Sequence, residues 1–155
     1  MPIEKTMVFL KPEGSALLRP IRNRLSKFGR VNEDLSRTVS LTEGVLDVLY
    51  PNLTPGLRVC MHRHLLCVST PLLVIEGENV IRQVLFDIGE LDDPQACDLM
   101  SIRCLYAKYC KSENVVGEGI YYSNLIHCAR NAVEAKVQIK ALTDRNLFHH
   151  PLSHH

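Results

Sequence analysis

The chain reads as an α+β domain, a split β-α-β arrangement in which four strands form an antiparallel sheet covered by helices. Three observations predict it. Short apolar runs of strand length alternate with stretches whose apolar residues recur every three or four positions. Their order along the chain, β-α-β-α-α-β-α-β-α, fits a split β-α-β unit. The 155 residues are 46% hydrophobic and 23% charged, the composition of one ordinary globular domain.

Thr6 to Leu10 is an apolar run stopped by Lys11-Pro12-Glu13-Gly14, a buried strand and its turn. From about Ala16 to Phe28, Leu17, Ile21, Leu25 and Phe28 share one helix face, arginines fill the other, and Gly29 is a plausible C-cap. Residues 35–41 alternate as a strand. Thr42-Glu43 opens a helix that runs to Tyr50, and Pro51 and Pro55-Gly56 punctuate the segment after it. Leu57 to Val68 is read as helix, and the continuous run Leu72 to Ile75 as a central strand. Asn79 to Ile88 is helical through Ile81, Leu85 and Ile88, with Gly89 as its stop. Residues 90–100 make a loop with some local helix. Ile120 to Ile126 is strand-like, and Asn131 to Leu142 is a helix facing inward through Ala132, Ala135, Ile139 and Leu142. The domain is expected over residues 1–145, with residues 146–155 as a flexible tail carrying His149, His150, His154 and His155.

Composition excludes several classes. No apolar run approaches the roughly 18 residues of a membrane span. A net charge of +1 points to no polyanionic partner. Arg19, Arg22, Arg24, Lys27 and Arg30 form a local basic stretch without interleaved aromatics, which argues against nucleic acid. Met1 to Lys5 shows no secretory pattern, so a cytoplasmic location is expected. The six cysteines include no Cys-x-x-Cys pair, and free thiols are expected. Cys60, His62, His64 and Cys67 hold four metal-ligand types in a short span, but on a helix they would not face one side, and no metal site is assigned.

There is no phosphate loop, dinucleotide fingerprint or nucleophile elbow. The candidates that remain are Lys11, which could hold a phosphate as a point charge, Arg103, Asn124, and His127, which closes the apolar strand. An imidazole there is either a buried hydrogen-bonded histidine or a nucleophile that attacks phosphorus.

Lys11-Pro12-Glu13-Gly14, Glu76-Gly77-Glu78-Asn79, Ser101-Ile102-Arg103 and Asn124-Leu125-Ile126-His127 occur in one order. Together with Tyr50, Ser69-Thr70-Pro71 and Gly89-Glu90, this set resembles the nucleoside diphosphate kinase family over about residues 4–142. The resemblance implies a ferredoxin-like fold. It also implies transfer of a γ-phosphate from a nucleoside triphosphate to a nucleoside diphosphate, by a ping-pong route through phospho-His127. By the same resemblance Lys11 and Arg103 hold phosphates, Asn124 meets the sugar hydroxyl, Tyr50 supports the histidine, Mg²⁺ bridges phosphate oxygens, and the protein is a homo-oligomer.

The chain also departs from that family. Leu85 and Leu91 stand where the family has a phosphate-binding arginine and threonine. Ala129 replaces a serine, and Gln138 replaces a glutamate that orients the histidine, so a less basic His127 and a slower enzyme are expected. Arg82, one turn before Leu85, and Arg130, near the start of the last helix, are candidates to restore lost charge. The stretch from Cys104 to Tyr122 is long and is expected to form a surface loop near subunit contacts. A catalytically weak or inactive relative that binds nucleotide or a partner is the competing expectation.

Overall fold

Apolar continuity decides which strands lie at the centre. Thr6 to Leu10 and Leu72 to Ile75 are buried on both faces, so each needs a strand on either side and cover above and below. The computed structural model describes residues 2–144 and shows this arrangement. Strand β1 (Ile3–Leu10) pairs antiparallel with β4 (Ser69–Glu78) along one edge, from Ile3↔Glu78 to Phe9↔Leu72. Along its other edge it pairs with β7 (Ile126–Cys128), which sets Phe9 opposite His127.

The outer edge of β4 is covered in two pieces, β2 (Arg30–Val31) and β3 (Arg37–Ser40). Only the second was expected. Asn32 N–H donates to Val74 O at 2.8 Å, and Ser36 Oγ accepts Val74 N–H at 3.0 Å, which stitches the break between the two pieces. The sheet thus has four positions and is antiparallel throughout, as expected for this fold class.

The helices are α1 (Leu18–Leu25), α2 (Glu43–Leu49), α3 (Pro55–Leu65), α4 (Val80–Ile88), the single turn α5 (Ile102–Leu105) and α6 (Ala132–Thr143). Both α4 and α6 pack on β1, and α6 also packs on α2. Helix α1 starts later than expected because Pro12–Leu17 forms a 3-10 turn after Lys11. Ser26 caps its end, so Gly29 is not the C-cap. A Cβ on Gly29 would lie 2.3 Å from Glu76 O, so the glycine permits close approach to β4. On α6 the inward face is Ala135, Gln138, Ala141 and Leu142; Ala132 is exposed.

The largest correction lies between Cys104 and Cys128. The single strand expected over Ile120 to Ile126 is two strands in two sheets. The expected surface loop is a hairpin of β5 (Lys111–Val115) and β6 (Gly119–Ser123), and β7 alone joins the main sheet. The chain breaks at Leu125, whose φ of 81° ends any strand. The hairpin packs on α3: Glu113 pairs with Arg63 at 3.0 Å, and Glu118 Oε1 accepts Gly56 N–H at 2.7 Å at the helix start. All six cysteines are free. The expected histidine tail lies outside the described residues.

Candidate functional site

Lys11 leaves the end of β1 with its backbone N–H donating to Leu125 O at 2.9 Å. Its side chain is buried, and Nζ donates to Asn124 Oδ1 at 2.6 Å. Two residues on, in the 3-10 turn, Glu13 Oε2 accepts Leu125 N–H at 2.9 Å, while Oε1 lies 2.6 Å from His64 Nε2. His64 Nδ1 lies 2.8 Å from the Tyr121 hydroxyl of the hairpin.

These bonds hold an unusual piece of backbone. Ile126 N–H donates to Asn124 O at 2.9 Å around Leu125, a three-residue turn with a non-glycine residue in the left-handed region. Such a conformation costs on the order of 1–3 kcal/mol and persists only when its surroundings over-determine it. Here Lys11 and Glu13 bind both polar groups of Leu125, and the Leu125 side chain is fully buried. The turn sends Asn124 to one side and starts β7 with His127 in register against Phe9.

The His127 imidazole is wedged between aromatics. Phe9 stacks on it at 4.9 Å between centroids, and Tyr50 meets it edge-on at 5.2 Å. Gln138, buried on α6, places Oε1 2.9 Å from His127 Nε2. An amide oxygen only accepts, so Nε2 carries the proton and Nδ1 keeps its lone pair. Burial above all, then the charges of Lys11, Arg103 and Arg130, hold the His127 pKa down at about 3, against the upward pull of the Gln138 bond. The lowered basicity therefore comes from burial first, whereas the sequence points to the missing glutamate charge. Burial, then Arg103, lowers Lys11 to about 8. The buried Tyr50 hydroxyl is pushed well above its ordinary value, again by burial first, and has no hydrogen-bond partner among the described residues.

Arg103, on α5 behind the Ser101 N-cap, is buried and largely committed. Nη1 donates to Gly89 O at 3.0 Å and to Leu91 O at 2.9 Å, and Nη2 donates to Ile126 O at 2.8 Å. Only Nε is buried without a partner among the described residues. Asn124 Nδ2 donates to Asp92 O at 2.9 Å, and Arg130 Nη2 to Glu90 O at 2.8 Å. Four consecutive carbonyls, from Gly89 to Asp92, are thus tied down by three side chains of the site.

Lys11, Tyr50, Arg103, Asn124, His127 and Arg130 line one open cleft of about 280 Å³, with Gln138 behind the imidazole. Arg82 is not brought there. It sits on the exposed side of α4, because the turns that bury Ile81 and Val84 against the core point it outward. Leu85 is half-buried, packs on the core and also lines the cleft. The Leu91 side chain is exposed, and Ala129 is buried.

Three residues that matter here do not stand out in the sequence. Asp92 and Glu134 line the cleft, and Glu13 clamps the strained turn. The Glu134 signal is present as Asn131-x-x-Glu134. Asn131 Oδ1 caps Glu134 N–H at 2.9 Å, and Glu134 Oε1 reaches back to Arg130 N–H at 3.1 Å.

No protein-family profile and no curated protein sequence matches the chain. Solved structures do match. The nucleoside diphosphate kinase from Encephalitozoon cuniculi superposes with a TM-score of 0.73 at 23% identity, covering 92% of this chain and 90% of its own. The Halobacterium salinarum nucleoside diphosphate kinase, solved in complex with CDP, gives 0.68 at 22% identity over 94% and 90%. The Borrelia burgdorferi nucleoside-diphosphate kinase, solved with bound vanadate and ADP as a transition state mimic, gives 0.65 at 19% identity over 93% and 89%. The fold of this chain is therefore that of the nucleoside diphosphate kinases, and the resemblance seen in the sequence holds at the level of the fold.

Proposed function

We propose that the protein transfers the γ-phosphate of a nucleoside triphosphate to a nucleoside diphosphate through phospho-His127. The observation that carries this reading is a neutral imidazole whose Nε2 proton is fixed by Gln138 at 2.9 Å, in a cleft it shares with Lys11, Asn124 and Arg103. The Nδ1 lone pair attacks the γ-phosphorus, the bond to the bridging oxygen breaks, and the diphosphate leaves with that electron pair. In the second half, a terminal oxygen of the incoming diphosphate attacks the same phosphorus and the P–N bond breaks. Lys11 supplies positive charge to the transferring group, and Asn124, held by Lys11, meets the sugar. Burial keeps His127 unprotonated, so no base is needed to activate it.

Mg²⁺ enters as part of the nucleotide substrate. Among the described residues no three His, Cys, Asp or Glu side chains gather to hold a metal, while the exposed Asp92 carboxylate stands at the cleft. The Asp92 carboxylate would be the side chain placed to meet an ion carried in by the nucleotide. Among the described residues no helix is long and apolar enough to cross a membrane. The reading takes the protein as cytoplasmic and homo-oligomeric; light scattering on the purified chain checks the second point.

A second reading, a weak or inactive relative that binds nucleotide, is favoured by Leu85 in the cleft wall and by the backbone bonds that occupy Arg103. One experiment separates the two. The intact mass is measured after incubation with Mg-ATP, with His127→Ala alongside. An acid-labile phosphate that is absent from the variant and discharged by GDP supports transfer. Bound ATP without phosphate supports the second reading.

A further inference from the structure

We infer that Arg130 is the residue that takes hold of the nucleotide's phosphates in this chain, exchanging its bond to the Glu90 carbonyl for a phosphate oxygen. The inference deepens the nucleotide reading above and rests on it. Donor occupancy in the cleft carries it. Of the three cations in the cleft wall, Lys11 is buried and bonded to Asn124, and Arg103 is buried with both terminal nitrogens on backbone carbonyls. Moving either one takes a donor from buried acceptors: Asn124 Oδ1 in the first case, the carbonyls of Gly89 and Ile126 in the second.

Arg130 differs in each respect. Its side chain is 49% exposed. It makes one short hydrogen bond, Nη2 to Glu90 O at 2.8 Å, and faces the exposed Asp92 carboxylate at a loose 4.0 Å. A guanidinium has five N–H donors, so most of its capacity is unspent, and the Glu90 carbonyl it would leave sits on an exposed residue where water can replace it.

Its backbone is nonetheless anchored. Glu134 Oε1 accepts Arg130 N–H at 3.1 Å, and Asn131 caps the same helix turn. The side chain therefore swings from a fixed base beside His127, in the same cleft wall as the apolar Leu85. A planar fork of donors suits the charged oxygens of a di- or triphosphate. The positive end of α6 next to it adds to the same field.

The test compares the full chain with Arg130→Gln and Arg130→Lys, each first checked for an unchanged melting temperature. Mg-ATP binding is measured by calorimetry, and single-turnover phosphorylation of His127 is followed against ATP concentration. Arg130→Gln is expected to weaken ATP binding and raise the half-saturating concentration by about tenfold or more, as for loss of a charge-assisted bond. The maximal rate should change far less, and Arg130→Lys should restore part of the affinity. Inorganic tripolyphosphate should compete with ATP on the parent and lose about the same factor on Arg130→Gln. Equal ATP and tripolyphosphate affinity in the parent and Arg130→Gln overturns the inference and leaves phosphoryl transfer standing. A tenfold loss of affinity in a protein whose parent binds ATP but never becomes phosphorylated upholds Arg130 and removes the kinase reading.

Discussion

His127 owes its neutrality to burial between Phe9 and Tyr50, with three cations nearby acting in the same direction. The Gln138 oxygen fixes the tautomer, and its hydrogen bond pulls the pKa upward, but an amide carries no charge and burial outweighs it. In Gln138→Glu a carboxylate would face the same nitrogen. The His127 pKa should rise by about one unit or more, which NMR titration of the ring protons measures. In the parent the ring should not titrate between about pH 5 and 8. Lys11 behaves differently: with its pKa lowered to about 8 it loses charge just above neutrality. Histidine phosphorylation by limiting Mg-ATP should therefore stay level from about pH 6 to about pH 7.5 and fall above about pH 8. A fall on the acid side of that plateau instead would mean that His127 is protonated there.

At the scale of elements, two turns and a strand do the positioning. The 3-10 turn after β1 presents Glu13 to the strained Leu125 turn, and that turn sets the register of β7. Gly14 is the contact point. A Cβ there would lie 2.5 Å from Leu125 O and 3.0 Å from Leu125 Cγ. Gly14→Ala should push the turn away from Lys11 and Glu13. It should slow His127 phosphorylation by about tenfold or more, since small displacements of a nucleophile are costly, and it should lower stability by about 1–3 kcal/mol. Single-turnover kinetics and urea unfolding read the two effects. The helix patterns and the strand β4 are legible in the sequence because each depends on its own local apolar spacing. The break at Leu125 is not, because Ile120 to Ile126 is apolar enough to pass as one strand. Only the competition between the hairpin on α3 and the edge of β1 shows that it is two.

For the molecule as a whole, a histidine buried neutral is an acid liability. Its folded pKa of about 3 lies below the ordinary 6.5, so the unfolded chain binds the proton first as the pH falls. The stability His127 contributes is complete above pH 6.5 and is lost on the way down toward about 3. Glu13, whose pKa is lowered by the His64 and Leu125 bonds against the opposing effect of burial, adds to the loss only below its ordinary value of 4.5. Between pH 6.5 and 4.5 the His127 contribution should stand alone of these two. Unfolding free energy should fall by on the order of 2 kcal/mol more in the parent than in His127→Phe over that range. An equal fall in both proteins would show that the ring is not held neutral.

The sequence by itself determined the fold class, the main helices, the central strands and the residue types available for chemistry, because strand and helix periodicity and turn residues act over a few positions. It also presented Lys11, Asn124, Arg103 and His127 as one ordered set. The tertiary structure decided what each of them has left to offer. Lys11 meets Asn124 across 113 positions of chain, Arg103 spends its terminal donors on three carbonyls, and Arg82 turns outward where Arg130 lines the cleft. Burial and donor occupancy are set by whatever packs alongside, and those neighbours come from distant parts of the chain. No local pattern records them.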